Sequence, residues 1–256
     1  MKQTLLRFLA RRPSLYLHAL RLLGRGSLEK KIFLSLIRDG DVVFDIGANR
    51  GQFTRLFSDL AGKKGAVHAF EPVPATFAML FATMNNWGGF KNFTLNNFAL
   101  GDMEGTIEMH LPANDDGQAS MRMHDSGSWR DPATIQSHQC PVSTLDTHAA
   151  GFSRLDFIKC DVEGAELLVA NGGPETLRRL SSLLFMEANP EWTKAFDYTP
   201  GDLVLKLREY GYDTFFLAGE KLVPLEGGEF TEAANLLCAK AQLHKERLAG
   251  LENICA

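Results

Sequence analysis

The sequence contains no run of about 18 consecutive apolar residues, the length that a transmembrane helix needs. Cysteine is scarce, with four in 256 residues and no C-x-x-C pair, which excludes a disulfide-stapled small domain and a common zinc-finger spacing. Apolar residues make up 45% and charged residues 23%, so a collagen-like or wholly disordered chain is excluded as well. A globular protein of one large or two small domains remains, and the unpaired cysteines favour a reducing, cytoplasmic compartment.

The charge is unevenly spread along the chain. The formal net charge is −4, which argues against nucleic acid as the main partner. Residues 1–31 nevertheless hold eight lysines or arginines and one acid, Glu29. Arg7, Arg11 and Arg12 interrupt the apolar stretch, so the segment does not resemble a secretory signal. Two interpretations stay open: a basic amphipathic helix in weak contact with the inner membrane surface, or a helical cap docked on the main domain.

From residue 41 onwards, short apolar runs alternate with segments of helical periodicity. This alternation predicts βαβ units and a mainly parallel sheet with helices on both faces. A long loop is predicted over 112–137, where Asp, Ser, Gly, Asn and Pro accumulate. The predicted strands are 41–47, 66–70, 93–100, 105–111, 155–160, 183–187, 212–217 and 234–239, and the predicted helices include 52–60, 74–84 and 200–210.

Acids, amides and glycines follow five of the predicted strands. Ligands bind outside the carboxyl ends of the strands in open α/β sheets, so these residues mark the expected site. They lie in the segments 45–51, 71–72, 96–97, 161–164 and 187–190.

The first of these segments predicts a ligand-binding turn. Gly47 and Gly51 allow positive φ and a close approach of the backbone to a ligand, and Asp45 can accept a hydrogen bond from an ammonium group. Glu71 follows the second strand, where an acid can hold two ribose hydroxyls. A nicotinamide site would need G-x-G-x-x-G, but Asn49 replaces the middle glycine. An adenosine ligand with an amino-acid moiety, such as S-adenosylmethionine, suits this turn better.

Six segments together closely resemble the FkbM-type S-adenosylmethionine-dependent methyltransferases. They are VVFDIGANRGQFTRLF, VHAFEPVPATF, NFALGDMEGTIEM, STLD, LDFIKCDVEGAELLVANGG and FMEANP, in that order between residues 42 and 190. The resemblance covers roughly residues 41–240. It implies the class I methyltransferase fold, with a seven-stranded, mainly parallel sheet whose last strand is antiparallel. It also implies O-methylation of a hydroxyl on a sugar or secondary metabolite.

The resemblance also implies how the cofactor is held. Gly47, Asn49 and Gly51 would line its methionine end, and Glu71 would hold its ribose. Asn97, Phe98 and Ala99 would border its adenine. Cys160 departs from the family pattern, which more often has an aliphatic residue before Asp161, although cysteine is also small and apolar.

Three acids at the carboxyl ends of the predicted strands 155–160 and 183–187 are the candidate catalytic residues: Asp161, Glu163 and Glu187. They either bind a polyol acceptor, with one acting as general base, or hold a divalent cation such as Mg²⁺ that would lower the pKa of the acceptor hydroxyl. The structural alternative is that Asp161 and Glu163, which follow the predicted strand 155–160, cap the next helix. Lys159 points either towards a covering helix or into the site. His110 and His124 are alternative bases, the latter within the predicted loop, which has the composition of a lid.

These observations predict a basic helical extension over 1–40, a methyltransferase domain over 41–240 and a tail over 241–256. The predicted function is S-adenosylmethionine-dependent O-methylation. A non-catalytic cofactor-binding module and a nicotinamide oxidoreductase are the alternatives, the latter disfavoured by Asn49 and by the absence of a Tyr-x-x-x-Lys pair. The sequence leaves the acceptor and the oligomeric state open.

Overall fold

Eight strands form the main sheet of the computed structural model, which describes residues 26–113, 118–227 and 230–251 together with residues 12, 15, 16, 19 and 20. The strands of the whole molecule are β1 Val42–Ile46, β2 Ala66–Phe70, β3 Phe93–Asn96, β4 Ala99–Gly101, β5 Gly105–Pro112, β6 Ile135–Thr144, β7 Phe157–Cys160, β8 Leu183–Ala188, β9 Thr214–Ala218, β10 Leu222–Pro224 and β11 Ala234–Ala239. The helices are α1 Leu28–Leu36, α2 Gln52–Ala61, α3 Pro74–Asn85, α4 Leu145–Ala149, α5 Glu166–Asn171, α6 Pro174–Arg179, α7 Pro190–Lys194, α8 Pro200–Glu209 and α9 Ala241–Leu248.

The main sheet has the order β10-β9-β11-β8-β7-β1-β2-β3. Strands β3, β2, β1, β7 and β8 run parallel, and β11 is antiparallel to both of its neighbours, as predicted for the last strand. The predicted number of seven strands is corrected to eight, because the chain turns back after β9 and adds β10 antiparallel at the edge. Three residues are too few for a strand periodicity to be recognisable in the sequence.

A second, three-stranded sheet of order β4-β6-β5 corrects two predictions. The expected strand over 93–100 is divided between the two sheets, because Asn97 bonds the β2–α3 turn and the chain leaves the main sheet there. The expected loop over 112–137 is partly structured. It contains the end of β5, the start of β6 and two 3₁₀ turns, Gly127–Trp129 and Pro132–Thr134.

Capping side chains, prolines and a glycine account for where helices α2, α3 and α8 begin. Thr199 and Asp202 form a capping box at the start of α8, and Pro74 and Pro200 occupy first-turn positions of α3 and α8, where a missing N–H costs nothing. Helix α2 begins after Gly51, whose φ of 82° lets the β1–α2 turn close tightly. In the part of the chain that the structure describes, no helix has the length and apolar character to cross a membrane.

Apolar side chains cover both faces of the main sheet. Helices α4, α5, α6 and α8 contribute to one core cluster, whereas α1 and α2 contribute to the other. Phe33 of α1 is central to the second cluster, with its ring edge-on to four other phenylalanine rings. Tyr16 and Leu20 are buried in the same cluster, while most of residues 1–25 lie outside the described residues.

Candidate active site

A cavity of about 280 Å³ lies at the carboxyl ends of β1, β2 and β7. The main-sheet register brings these ends together, because Ile46 is level with Phe70 on one side and with Cys160 on the other. The cavity walls therefore come from segments that are far apart in sequence. They include eight of the residues singled out above: Gly47, Asn49, Glu71, Phe98, Ala99, Lys159, Asp161 and Glu163.

The β1–α2 turn forms one wall of the cavity. Gly47 and Asn49 both have positive φ, at 76° and 47°, and both line the cavity. A Cβ on Gly47 would lie 1.8 Å from the carbonyl oxygen of Asp161, so only glycine lets β1 and β7 approach this closely. Gly51 is not part of the wall; a Cβ there would lie 2.8 Å from Leu80, so this glycine serves the packing of α2 on α3.

Glu71 is the acid at the end of β2, and it is 4% exposed. Its carboxylate accepts the backbone N–H groups of Asn49, at 3.1 Å, and Val73, at 3.0 Å. Burial raises the pKa of Glu71 to about 7, against the lowering effect of these two hydrogen bonds. A carboxylate has about four acceptor positions, so this group has capacity for two further donors from the cavity.

The three residues expected at the adenine end are separated by the structure. Phe98 and Ala99 line the cavity. Asn97 does not; its Nδ2 donates to the carbonyl oxygens of Glu71, at 2.9 Å, and Pro72, at 3.0 Å. Asn97 therefore supports the turn that carries Glu71.

Asp45 lies behind the wall and is fully buried. Its Oδ2 accepts the hydroxyl of Thr54 at 2.6 Å, and its Oδ1 is 3.8 Å from the Nζ of Lys159. Burial raises the pKa of Asp45, with the charge of Lys159 acting in the opposite direction. The ammonium group next to Asp45 is thus the protein's own, and the structure does not bring Asp45 to the cavity surface.

Lys159, whose direction the sequence left undecided, points into the site. Its Nζ lies 3.1 Å from Oδ2 of Asp161 and 3.4 Å from the carbonyl oxygen of Gly47. Burial disfavours the charge, but the carboxylates of Asp161 and Asp45 outweigh it and raise the pKa of Lys159. The pairing of β1 with β7 indicates this direction, since Asp45 and Lys159 are direct partners on these neighbouring parallel strands.

The three candidate catalytic acids lie together. Oxygen atoms of Asp161, Glu163 and Glu187 are all within 4.8 Å of one another. Asp161 and Glu163 line the cavity, whereas Glu187 stands beside it on β8 with a buried Oε2 that has no hydrogen-bond partner among the described residues. Burial, followed by the charges of Asp161, Glu166 and Glu163, raises the pKa of Glu187 to about 10. Glu163 has φ of 54°, an unusual backbone conformation for this residue type.

Helix capping does not account for Asp161 and Glu163. Helix α5 begins only at Glu166, after Ala165, which makes no side-chain cap. Glu166 is the acid in the first turn, and its carboxylate accepts the N–H of Val162 at 2.9 Å. Burial is the main cause that raises the pKa of Glu166 to about 7. Buried Glu166 thus holds the turn between β7 and α5 in place, while Asp161 and Glu163 line the cavity.

The segment after β5 packs over the site. Ser120 pairs with His110, and its hydroxyl donates to the carbonyl oxygen of Glu163 at 2.9 Å. His124 is buried between the rings of Trp129 and Trp192, at centroid distances of 4.9 and 4.5 Å, and burial lowers its pKa. Neither histidine lines the cavity, so the structure does not bring either alternative base to it.

A sheet of this strand order, with a glycine turn and an acid at adjacent strand ends, defines the class I methyltransferase fold of the Rossmann-like type. The chain belongs to the FkbM methyltransferase family, because the Methyltransferase FkbM domain matches residues 45–214.

Curated relatives and a solved structure of the same family name are similar to this chain. The 2-O-methyltransferase NoeI of Sinorhizobium fredii is 34% identical over 164 residues, which are 59% of this chain and 65% of NoeI. The 31-O-demethyl-FK506 methyltransferase FkbM of Streptomyces tacrolimicus is 56% identical over 46 residues, 18% of this chain and 17% of that protein. The matches thus span less than two thirds of either relative. The crystal structure of Methyltransferase FkbM from Methylobacillus flagellatus superposes with a TM-score of 0.51 at 14% identity, covering 78% of this chain and 44% of that one.

Proposed function

We propose that this chain is an S-adenosylmethionine-dependent O-methyltransferase acting on a hydroxyl of a sugar or secondary-metabolite acceptor. The observation that carries the proposal is one cavity with the glycine turn and Glu71 in its wall and an acid cluster at its edge. The names of the two curated relatives, both O-methyltransferases, support the same reaction. The acceptor is a small molecule or a glycan, the proposed location is the cytoplasm, and the proposed catalytic domain is 41–240.

The cavity residues fit the proposed cofactor. Glu71 has free acceptor capacity for ribose hydroxyls, and Phe98 with Ala99 offers an apolar wall for adenine. Gly47 and Asn49 would border the methionine end, with Lys159 behind them as a cation for its carboxylate. Gly51, Asn97 and Asp45 support this wall from behind.

The bound cofactor supplies an electrophilic methyl group on a sulfonium ion. With the cofactor bound, an O–CH₃ bond would replace the S–CH₃ bond, and the acceptor hydroxyl would give its proton to a base. Asp161 and Glu163 face the cavity, so they orient the hydroxyl and one of them takes the proton. Lys159 forms an ion pair with Asp161 and so holds this side chain in position. Glu187 keeps its proton at neutral pH, because burial and the neighbouring carboxylates raise its pKa.

A divalent cation such as Mg²⁺ is the alternative occupant of the acid cluster. Three carboxylate oxygens within 4.8 Å are a hard-ligand set of the kind that Mg²⁺ accepts. Under that alternative the cation, and not a carboxylate, activates the hydroxyl. Transfer measured after treatment with a chelator and again after Mg²⁺ is restored separates the two: unchanged rates favour the general base, and a loss that Mg²⁺ reverses favours the metal.

Isothermal titration with S-adenosylhomocysteine tests the proposed cofactor, with NAD as the control ligand. We expect micromolar binding of the first and no binding of the second.

Glu71→Ala is expected to weaken binding of S-adenosylhomocysteine by roughly 1.5–3 kcal/mol, because charge-assisted hydrogen bonds to the ribose are lost. Glu104→Ala, at an exposed acid outside the cavity, is the matched control and should bind like the parent chain. Tighter binding of NAD would favour the oxidoreductase, and binding without transfer to any acceptor would favour the non-catalytic module.

A further inference from the structure

A second cavity adjoins the first and has a volume of about 720 Å³. We call it the β5 groove; it runs beside β5 and is lined by Ile107, Met121, Val142, Leu168 and Phe196 among others. Met121 lines both cavities, and it directly follows Ser120, which is hydrogen-bonded to Glu163. The two cavities therefore share the Met121 side chain, next to the turn that carries Glu163.

The lining of the β5 groove combines apolar side chains with polar and charged ones. Met103 and Met123 in its lining are 51% and 43% exposed, which places them among the large apolar side chains that the described surface leaves open. A contiguous exposed apolar patch marks a binding surface, and methionine side chains adapt their shape to apolar ligands. The polar part of the lining consists of Asp102, Glu108 and Arg122, which are exposed, and His110, so an occupant would meet polar and apolar groups together.

We propose that the β5 groove binds an apolar portion of the methyl acceptor, so that the acceptor is an amphiphilic alcohol or glycoside. The inference rests on the proposed function for the hydroxyl that reacts at Asp161 and Glu163. The occupant follows from continuity: a molecule whose hydroxyl reaches these acids past Met121 places its remaining body in the groove. The groove has more than twice the volume of the cofactor cavity and falls in the range of drug-sized ligand sites. A free monosaccharide has no apolar body to fill it.

The test is a titration with methyl, hexyl and octyl β-glucoside, each below its micellar concentration. Affinity is expected to rise with chain length, by up to about fourfold for each buried methylene, and by tenfold or more from methyl to octyl. Leu168→Trp, which fills the groove, is expected to weaken octyl glucoside binding at least fivefold. Leu243→Trp adds the same side chain at a leucine that is 66% exposed on α9, outside the groove, and should leave binding unchanged.

A second pair of variants provides an independent test in case Leu168→Trp does not fold. Met103→Glu and Met123→Glu change exposed positions, and each is expected to lower the affinity for octyl glucoside while thermal stability stays constant. Equal affinity for the methyl and octyl glucosides, or octyl binding that none of the three groove variants weakens, would overturn the groove assignment. Titration of the same variants with S-adenosylhomocysteine reports on the cofactor cavity alone, so failure of the proposed function is seen separately.

Discussion

Glu187 lies in an environment very different from that of an exposed acid. Its carboxylate lies within 4.8 Å of oxygens of Asp161 and Glu163, and its Oε2 is buried. Three negative charges at this separation repel one another strongly in a partly buried site. A proton on Glu187 relieves the repulsion, and the nearby ammonium of Lys159 balances Asp161. The cluster is therefore arranged to keep Glu187 protonated.

The Glu187→Gln variant tests this arrangement through the pH dependence of stability. The folded chain holds a proton on Glu187 up to about pH 10, whereas the unfolded chain releases it near the ordinary pKa of 4.5. Between these values the folded state binds more protons than the unfolded state, so the free energy of unfolding falls as pH rises, by at most about 1.4 kcal/mol per pH unit. Glutamine carries no such proton, and we expect the decline from pH 7 to 9 to be shallower.

Thermal unfolding followed at pH 7, 8 and 9 measures that decline. The range is chosen because Glu71 and Glu166, whose pKa values are raised to about 7, contribute mainly below it. Glu175→Gln, at an exposed acid on α6, is the matched control and should decline like the parent chain. Parallel curves for all three proteins would contradict a protonated Glu187.

Residue types next to strand ends predicted part of the site and missed the rest for a clear reason. Gly47, Asn49, Glu71, Asp161 and Glu163 all line the cavity, because a residue that directly follows a parallel strand must emerge at the same edge of the sheet. Side-chain direction is not encoded in this way. Asn97 turns back to bond a neighbouring turn, and Lys159 turns in towards the acids, because of partners that only the strand register supplies.

At the scale of elements, helix α9 is held to the opposite end of the main sheet by a buried ion pair. Arg247 donates two hydrogen bonds to Asp41, at 2.5 and 2.8 Å, and the Asp41 side chain is only 2% exposed. Arg154 lies 3.5 Å from the same carboxylate and is largely exposed. Residues 241–251, where the sequence suggested a tail, thus contain a helix and a 3₁₀ turn that contact α1.

Arg247→Met is expected to lower the free energy of unfolding by roughly 2–4 kcal/mol, because the buried carboxylate of Asp41 then keeps only the backbone N–H of Arg38 and the exposed Arg154 as partners. Arg38→Met is the matched control. Arg38 pairs with Glu246 at 3.9 Å between two exposed side chains, and its loss is expected to cost about 1 kcal/mol or less. Urea denaturation of both variants measures the difference, and equal losses would contradict a special role for the buried pair.

The elements that sequence periodicity predicted well are those of the βαβ core. The predicted 66–70 and 234–239 coincide with β2 and β11, and α2 and α3 each extend one residue beyond the prediction. The small sheet was harder to predict because its pairing is non-local: β4 pairs with β6, some 40 residues later in the chain. Polar composition over 112–137 indicated a loop, but ladder partners and the burial of Trp129 decided the local structure.

At the scale of the whole molecule, two interpretations of the basic segment 1–31 have to be distinguished: a helical cap docked on the domain and a helix at a membrane surface. Tyr16 and Leu20 are 4% and 8% exposed, and the Tyr16 hydroxyl accepts a hydrogen bond from Lys30 at 2.5 Å. Both side chains lie in the core cluster that α1 and α2 share, which contains no residue of the acid cluster. These contacts favour a docked cap over a helix that leaves the domain for a membrane surface.

A chain that begins at residue 26 tests the docked cap. Its loss of the Tyr16 and Leu20 contacts is expected to lower Tm by about 5–10 °C, since burial of two such side chains contributes a few kcal/mol. The affinity for S-adenosylhomocysteine should stay within twofold, because the cavity residues all follow residue 45.

Tyr16→Ala combined with Leu20→Ala in the full chain should reproduce most of the loss in Tm. Cosedimentation with anionic vesicles completes the comparison. An unchanged Tm on truncation, together with vesicle binding by the full chain alone, would favour the membrane helix instead.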